Sequence, residues 1–244
     1  MICVLIPVHN GEDYIAACLR SVLAQQVPIA LSVIIVDDGS TDRTLAQIES
    51  LCSPLISVTS TAWQGVAAAR NALLRLVPPE ADYVTFIDAD DLMPQGKLAR
   101  DLAPMAKDTD LGFVYGRMAF FETSGSAQNE EPTPFSTVRS ANLAAGTYRA
   151  DILLANGPFD ESFEHGEDLD FLFRLFETSR KHLLHDEISV FYRQHDTNMT
   201  KRKDALRRGI MKAMLRHAQR RRADPSRASA EGVFDSRPRK DDAR

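Results

Sequence analysis

The sequence lacks the signatures by which phosphate-binding chains are usually recognised. No Gly-x-Gly-x-x-Gly lies between its first two apolar runs, and no Gly-x-x-x-x-Gly-Lys-Ser/Thr occurs anywhere. A dinucleotide fingerprint and a P-loop are therefore both unsupported, and a phosphate would have to be held by side chains and a metal. Cysteine is scarce: Cys3, Cys18 and Cys52 are odd in number, widely spaced and set among apolar residues. That pattern argues against a disulfide framework and a zinc site, and predicts reduced, buried thiols in a cytoplasmic protein. Long apolar runs are missing too. No window approaches the ~18 consecutive apolar residues of a membrane-crossing helix. The N-terminus has no basic region, and the run from Ile2 to Val8 is too short for a signal peptide. Any membrane contact is therefore expected to be peripheral, at the inner face of the plasma membrane.

What is present is an ordinary globular composition with an uneven charge. The 244 residues are 44% hydrophobic and 26% charged, enough for one large domain or one domain with a tail. The net charge is −5, but from Lys201 onward fifteen Lys/Arg face six Asp/Glu, a net of +9, which leaves −14 on the first 200 residues. A basic helix or tail follows an acidic body.

Taken in order, the chain alternates buried strands with amphipathic helices. Ile2 to Val8, Leu31 to Val36, Leu55 to Thr59 and Tyr83 to Ile87 read as strands. Between them, 14–26, the stretch up to about Leu51, and 65–77 have helical spacing. Strand, loop and helix repeated in this way predict an α/β fold with a mostly parallel, Rossmann-like sheet flanked by helices. Ligands of such sheets bind beyond the carboxyl ends of the strands. Those ends carry Pro7-Val8-His9-Asn10, Asp37-Asp38 and Asp88-Ala89-Asp90-Asp91.

The last of these ends is the most informative. Alternate strand residues share a face, so Asp88 and Asp90 are expected to point the same way. Two adjacent carboxylates repel unless a proton or a cation intervenes, and Mg²⁺ or Mn²⁺ suits oxygen ligands. The plain alternative is a solvated acidic turn before a helix starting near Pro94.

These strand ends resemble family 2 glycosyltransferases of the GT-A fold. The resemblance is carried by Ile6-Pro7-Val8-His9-Asn10 with Glu12 and Tyr14, by Val36-Asp37-Asp38-Gly39-Ser40-Thr41-Asp42, by Gly65-Val66-Ala67-Ala68-Ala69-Arg70-Asn71, and by Phe86-Ile87-Asp88-Ala89-Asp90-Asp91. In the second half, Glu167-Asp168 and the stretch from Val190 to Thr200 match as well. The resemblance implies an inverting, metal-dependent transfer from a nucleoside diphosphate sugar, expected to be a UDP-sugar, to a hydroxyl of a glycan or lipid-linked acceptor in cell-surface polysaccharide synthesis. It places Asp38 at the nucleobase with Pro7 and Glu12 shaping that pocket, and His9, Arg70 and Ala89 along the nucleotide. Asp88 and Asp90 would position Mn²⁺ or Mg²⁺ and the diphosphate, with His195 approaching the same ion. Asp168, beside Glu167, would be the catalytic base. The chain has no Gln-x-x-Arg-Trp after Glu167-Asp168, which argues against a processive synthase.

Residues 1–200 are thus expected to form the transferase domain, with a nucleotide-sugar half at 1–110 and an acceptor half at 111–200. The polar stretch from Thr123 to Val138 reads as a mobile acceptor-side loop. Residues 201–222 predict a basic amphipathic helix with an apolar stripe at Leu206, Ile210, Met214 and Leu215 opposite its basic side chains. Such a helix either packs on the domain with its basic face solvated or lies on anionic lipid. Residues 223–244 are expected to be disordered, and no nucleic-acid motif is present. Plainer readings stay open: Glu167 and Asp168 as helix-capping acids, and His195 as an ordinary histidine. A nucleotidyltransferase on a similar fold and a non-catalytic nucleotide-sugar-binding scaffold are the rival functions.

Overall fold

Seven apolar-dominated residues in succession, Ile2–Val8, form β1, and all seven are buried. A strand covered on both faces needs parallel neighbours with crossover helices. β1 pairs in parallel with β2 (Leu31–Asp38) on one side and β4 (Tyr83–Phe86) on the other, and β2 pairs in parallel with β3 (Ile56–Thr61). The computed structural model describes residues 1–122, 132–196, 198, 203–230 and 233–239. The crossovers are α1 (Ile15–Leu23), α2 (Thr44–Glu49) and α3 (Val66–Leu76). In α1, Ile15, Cys18, Leu19 and Val22 are buried, the one-face spacing of an amphipathic helix. In α3 the small Ala67 and Ala69 bring the helix close to the sheet, and the buried Arg70 lies beside them.

After α4 (Lys97–Lys107) the pairing becomes mixed. β5 (Phe113–Glu122) is the hub of this half. It pairs antiparallel with β6 (Ser136–Arg139) and β7 (Gly146–Arg149), and in parallel with β8 (His182–Gln194). β7 closes the sheet by pairing antiparallel with β4. β6, β7 and the first half of β8 have no strand pattern in the sequence, because they are short or polar and take their conformation from β5. α5 (Ala150–Ala155) and α6 (Glu167–Phe176) complete the body, with Phe171 of α6 stacked on Phe159 at 4.1 Å. The loop expected to be mobile lies largely outside the described residues, at 123–131. Of the three cysteines, Cys3 and Cys18 are buried free thiols, but Cys52 is exposed. It sits at a positive φ of 46° just past α2, where the chain turns at the surface.

The C-terminal region departs from expectation in two ways. α7 (Lys203–Ala223) does not pack through its apolar stripe: only Gly209 and Ala213 are buried, while Ile210, Met214 and Leu215 are exposed. The side chains that face the body are basic. Arg220 pairs with Asp170 and with the wholly buried Glu177, Arg216 with Asp160, and Lys212 lies 4.1 Å from the Phe163 ring centre. Buried acids on α6 thus overrode the hydrophobic pattern, since a buried carboxylate needs a charged partner more than a helix needs apolar contact. Burial alone would raise the Glu177 carboxyl; hydrogen bonds from Arg220, His217 and Arg227 hold it below its ordinary range. Nor is the stretch after α7 free. Ala230 and Val233 are buried, the Phe234 ring meets Phe173 and Phe176, and β9 (Asp235–Arg239) pairs antiparallel with β6. Residues 240–244 lie outside the described residues.

α7 approaches the body closely because Gly209 has no side chain. A Cβ there would overlap the His165 carbonyl oxygen, and one on Gly166, at φ +84°, would meet the Gly209 backbone. Gly209→Ala gains up to ~1 kcal/mol of helix propensity, but the steric overlap should cost about 1–3 kcal/mol. We expect a net loss of stability in urea unfolding; a gain would show that α7 is not seated against His165.

Candidate active site

The site is built at the carboxyl ends of β1, β2 and β4 and closed by the start of α6. At the β1–β2 edge, Pro7 is buried within β1. His9 is exposed, and its Nδ1 lies 2.7 Å from the Asp38 carbonyl oxygen. A carbonyl only accepts, so Nδ1 carries the proton and Nε2 can accept from Asn10 Nδ2 at 3.2 Å. Asp38, expected at the nucleobase, is only 3% exposed. Its carboxylate accepts the Gln64 and Gly65 amides at 2.9 and 2.7 Å, so two of its acceptor positions hold the 62–65 loop in place. That loop rests on Gly39, whose φ of +69° and 2.8 Å approach of a virtual Cβ to Trp63 N leave no room for a side chain. The loop presents Trp63, 67% exposed, at 6.3 Å from the His9 ring. Glu12 accepts from Arg43 N and Nε at 3.0 and 3.1 Å, bracing the β1 loop against the β2 loop.

At the end of β4 the expected alternation fails. The strand stops at Phe86, and a turn follows in which Asp91 N donates to Asp88 O at 3.0 Å. The carboxylates therefore take separate directions. Asp88 Oδ1 accepts from Arg70 Nη2 at 2.8 Å, whereas Asp90 Oδ2 lies 2.9 Å from His195 Nε2. Asp91 turns inward and is wholly buried, with one oxygen accepting Arg193 N at 3.0 Å. Burial, then the nearby Asp90 and Asp88, raise its carboxyl well above its ordinary range. Ala89 lies between the two diverging acids, partly exposed. Leu92 and Phe191 exchange backbone hydrogen bonds at 3.0 and 2.9 Å, which ties this turn to β8.

That tie brings a distant segment to the site. His195, just past β8, stacks on Tyr14 with centroids 4.5 Å apart. Arg193 spans the Tyr14 and Phe121 rings and donates from Nε to Asp90 O at 2.8 Å. His195 and Asp90 together form a mixed nitrogen–oxygen pair of donors. No cluster of three metal-ligating side chains occurs among the described residues, and Asp88 is committed to Arg70. The pair fits a hard cation that takes one or two protein ligands and fills its shell from diphosphate oxygens and water.

The third cluster is the most buried. Arg70 forms ion pairs with both Asp88 and Glu167, and Arg70 and Glu167 are each about 6% exposed. Glu167 is therefore held as the counter-charge of Arg70. Asp168 follows it in the first turn of α6, half-buried, and accepts Leu169 N at 2.7 Å. Burial first, and the adjacent Glu167 second, push its carboxyl up to about 7, against the pull of Arg70. The α6 dipole favours both acids as anions, yet Asp168 has the raised pKa of a group able to accept a proton near neutrality.

The fold thus brings Arg70, Asp88, Glu167 and Asp168 into one cluster, and Asp90 with His195 into a second. Asp38, Pro7, Glu12 and His9 line the β1–β2 edge. Sequence reasoning missed the exposure of Trp63 and the stacking of Tyr14 and Arg193 around Asp90. The motif residues Tyr14 and Arg193 were visible, but their roles depend on where β8 ends.

Comparison with known proteins bears on the family and the fold. A family model described as glycosyl transferase family 2 matches residues 3–156. Chondroitin synthase of Pasteurella multocida is 30% identical over 192 residues, 75% of this chain and 20% of the synthase. The UDP-Glc:alpha-D-GlcNAc-diphosphoundecaprenol beta-1,3-glucosyltransferase WfgD of Escherichia coli is 25% identical over 173 residues, 69% of this chain and 66% of that protein. A solved structure of the mannosyltransferase PcManGT from Pyrobaculum calidifontis, in complex with GDP-Man and Mn²⁺, has a TM-score of 0.68 at 17% identity, covering 91% of this chain and 64% of that one. At such identity the likeness is one of fold, and the fold is the GT-A fold expected from the sequence. The chain spans only part of each relative, a fifth of the synthase and about two thirds of the glucosyltransferase.

Removing the guanidinium should expose how much the site depends on it. Arg70→Met leaves Glu167 buried and unpaired, a change that costs about 3–5 kcal/mol. Urea unfolding measures it; a loss under about 1 kcal/mol would mean that the pair is solvated.

Proposed function

Because the chain belongs to glycosyl transferase family 2, we propose that it moves a sugar from a nucleoside diphosphate sugar to an acceptor hydroxyl, with inversion at the anomeric carbon. The observation that carries this reading is Asp168: a half-buried carboxylate with its pKa raised to about 7, beside the strand-end acids. In the proposed step its carboxylate takes the acceptor O–H proton. The acceptor oxygen bonds to the anomeric carbon as the bond from that carbon to the diphosphate breaks, and the electron pair leaves with the diphosphate. Arg70 keeps Glu167 and Asp88 paired, so Asp168 is the acid of this cluster left to exchange a proton.

The donor is proposed to be a UDP-sugar, with its base at the β1–β2 edge near His9 and Asp38. Mn²⁺ or Mg²⁺ would be held by Asp90 and His195, with Asp88 at the border of the site, and would neutralise charge on the departing diphosphate. The donor named for the E. coli relative is UDP-Glc and its acceptor carries a diphosphoundecaprenol. Those words support a UDP-sugar and a lipid-linked or glycan acceptor here, in cell-surface polysaccharide synthesis on the cytoplasmic side. Peripheral membrane contact through 201–222 would suit such an acceptor. No helix among the described residues is long and apolar enough to cross a membrane.

The pH dependence follows from the base. Only ionised Asp168 can accept the proton, so below about pH 7 each unit of acidification should lower kcat/KM about tenfold, with a plateau above. A profile flat from pH 5 to 8 would remove Asp168 from the role. Asp168→Asn should abolish transfer and spare donor binding. Asp90→Ala should remove the Mn²⁺ dependence of donor binding, read as a thermal shift with UDP-sugars; retained dependence would sink the assignment. Donor consumption without a new glycosidic bond would favour the nucleotidyltransferase reading, and no consumption with any acceptor the scaffold.

A further inference from the structure

The face of α7 turned away from the body has no partner in the structure, and its chemistry is unusual for a solvated helix. Met211, Met214 and Leu215 are 62%, 56% and 60% exposed, and Ile210 is 38% exposed at its margin. Successive residues of a helix advance by about 100°, which puts Met211, Met214, Leu215 and Ala218 on one outward strip. Arg207 and Arg208 bracket that strip at one end and Arg221 and Arg222 at the other, all exposed. Among the described residues none of these four arginines forms an ion pair; the pairs of α7 with the body are made by Arg216, His217 and Arg220. An apolar centre with a cationic margin at each end is thus displayed by a helix whose own packing needs are met by Gly209, Ala213 and buried salt bridges.

We propose that this outward face of α7 docks on a bilayer surface carrying anionic lipid head groups, with Met211, Met214 and Leu215 entering the head-group region and the arginines on phosphates. Charge decides the occupant. A second copy packed antiparallel would set Arg207 and Arg208 of each helix against Arg221 and Arg222 of the other, which is repulsive at both ends. A nucleic acid would satisfy the arginines but leave the methionines and leucine against a polar backbone. An anionic bilayer satisfies both parts. The first 200 residues carry −14, so the same surface would repel the body and orient the molecule on this helix.

The geometry also sets what docking would place near the membrane. Gly209 sits against His165 and Gly166, immediately before Glu167 and Asp168. The proposed base would lie on the far side of α7 from the lipid, separated by roughly one helix diameter of ~10 Å. This surface deepens the proposed transfer by suiting an acceptor held in the membrane, but it rests on α7 alone.

The test is co-sedimentation of the full chain with vesicles of phosphatidylcholine, with and without phosphatidylglycerol, and no sugar substrate present, so that its outcome is separate from that of transfer. We expect binding only with phosphatidylglycerol, weakening as salt is added. The triple variant Met211→Ser, Met214→Ser, Leu215→Ser and the double variant Arg207→Glu, Arg208→Glu should each lower the partition at least about tenfold. Both sets are exposed, so the melting temperature should stay unchanged. Arg75→Glu and Lys107→Glu, exposed and basic but on other elements, should bind as wild type. Absence of binding, equal binding to neutral vesicles, or variants that bind as well as wild type would overturn the proposal. So would a wild-type dimer that the triple variant converts to monomer, or single-stranded DNA binding that survives the triple variant and displaces the vesicles.

Discussion

One buried guanidinium holds the centre of this molecule together. Arg70 comes from α3, Asp88 from the turn after β4, and Glu167 from the start of α6, and the three meet in a pair of ion pairs with little solvent. Each partner satisfies a charge that burial would otherwise make expensive. Because the three segments belong to both halves of the chain, the pairing couples the parallel β-sheet half to the mixed half at the place where chemistry is proposed. A neighbour feels the same burial: desolvation first, and the adjacent Glu167 second, raise the Asp168 carboxyl to about 7 against the pull of Arg70.

A second set of buried charges decides the position of the C-terminal helix. Asp170 on α6 and Glu177 just past its end draw Arg220 inward, His217 stacks on Phe173 at 4.6 Å, and Lys212 and Arg216 lie over Phe163. A helix with an apolar stripe and several arginines could present either face to its domain. Here ion pairs and cation–π contacts win, and the apolar residues are turned out. Both halves of the molecule therefore share one rule: arginines from one element neutralise acids buried on another, and what remains exposed acquires its character from that choice.

Much of the architecture was legible in the chain. The runs Ile2 to Val8 and Leu31 to Val36 are apolar enough for strands covered on both faces, and the one-face spacing of Ile15, Cys18, Leu19 and Val22 has a single sensible packing. Polar residues at successive strand ends marked the edge where Asp38, Asp88 and Asp90 lie, and Glu167-Asp168 stands at a helix start. β6, β7 and β9 were not legible, because short strands with polar residues are defined by the neighbour they pair with. Cys52 looked buried from its neighbours in sequence, but a surface turn after α2 placed it in solvent.

The sequence by itself therefore determined the class of fold, the ends of the strands at which polar chemistry gathers, and the identity of most residues there, since all of these depend on local periodicity and residue type. Only the tertiary structure decided which partner each acid takes. Asp88 and Asp90 are two residues apart, yet a turn rather than a strand sends one to Arg70 and the other to His195, a residue 105 positions away. It alone decided that Asp38 supports a loop and that the basic helix turns its apolar side outward. These outcomes are settled by competition for buried counter-charges between segments distant in sequence, and no local pattern encodes which competitor is nearest.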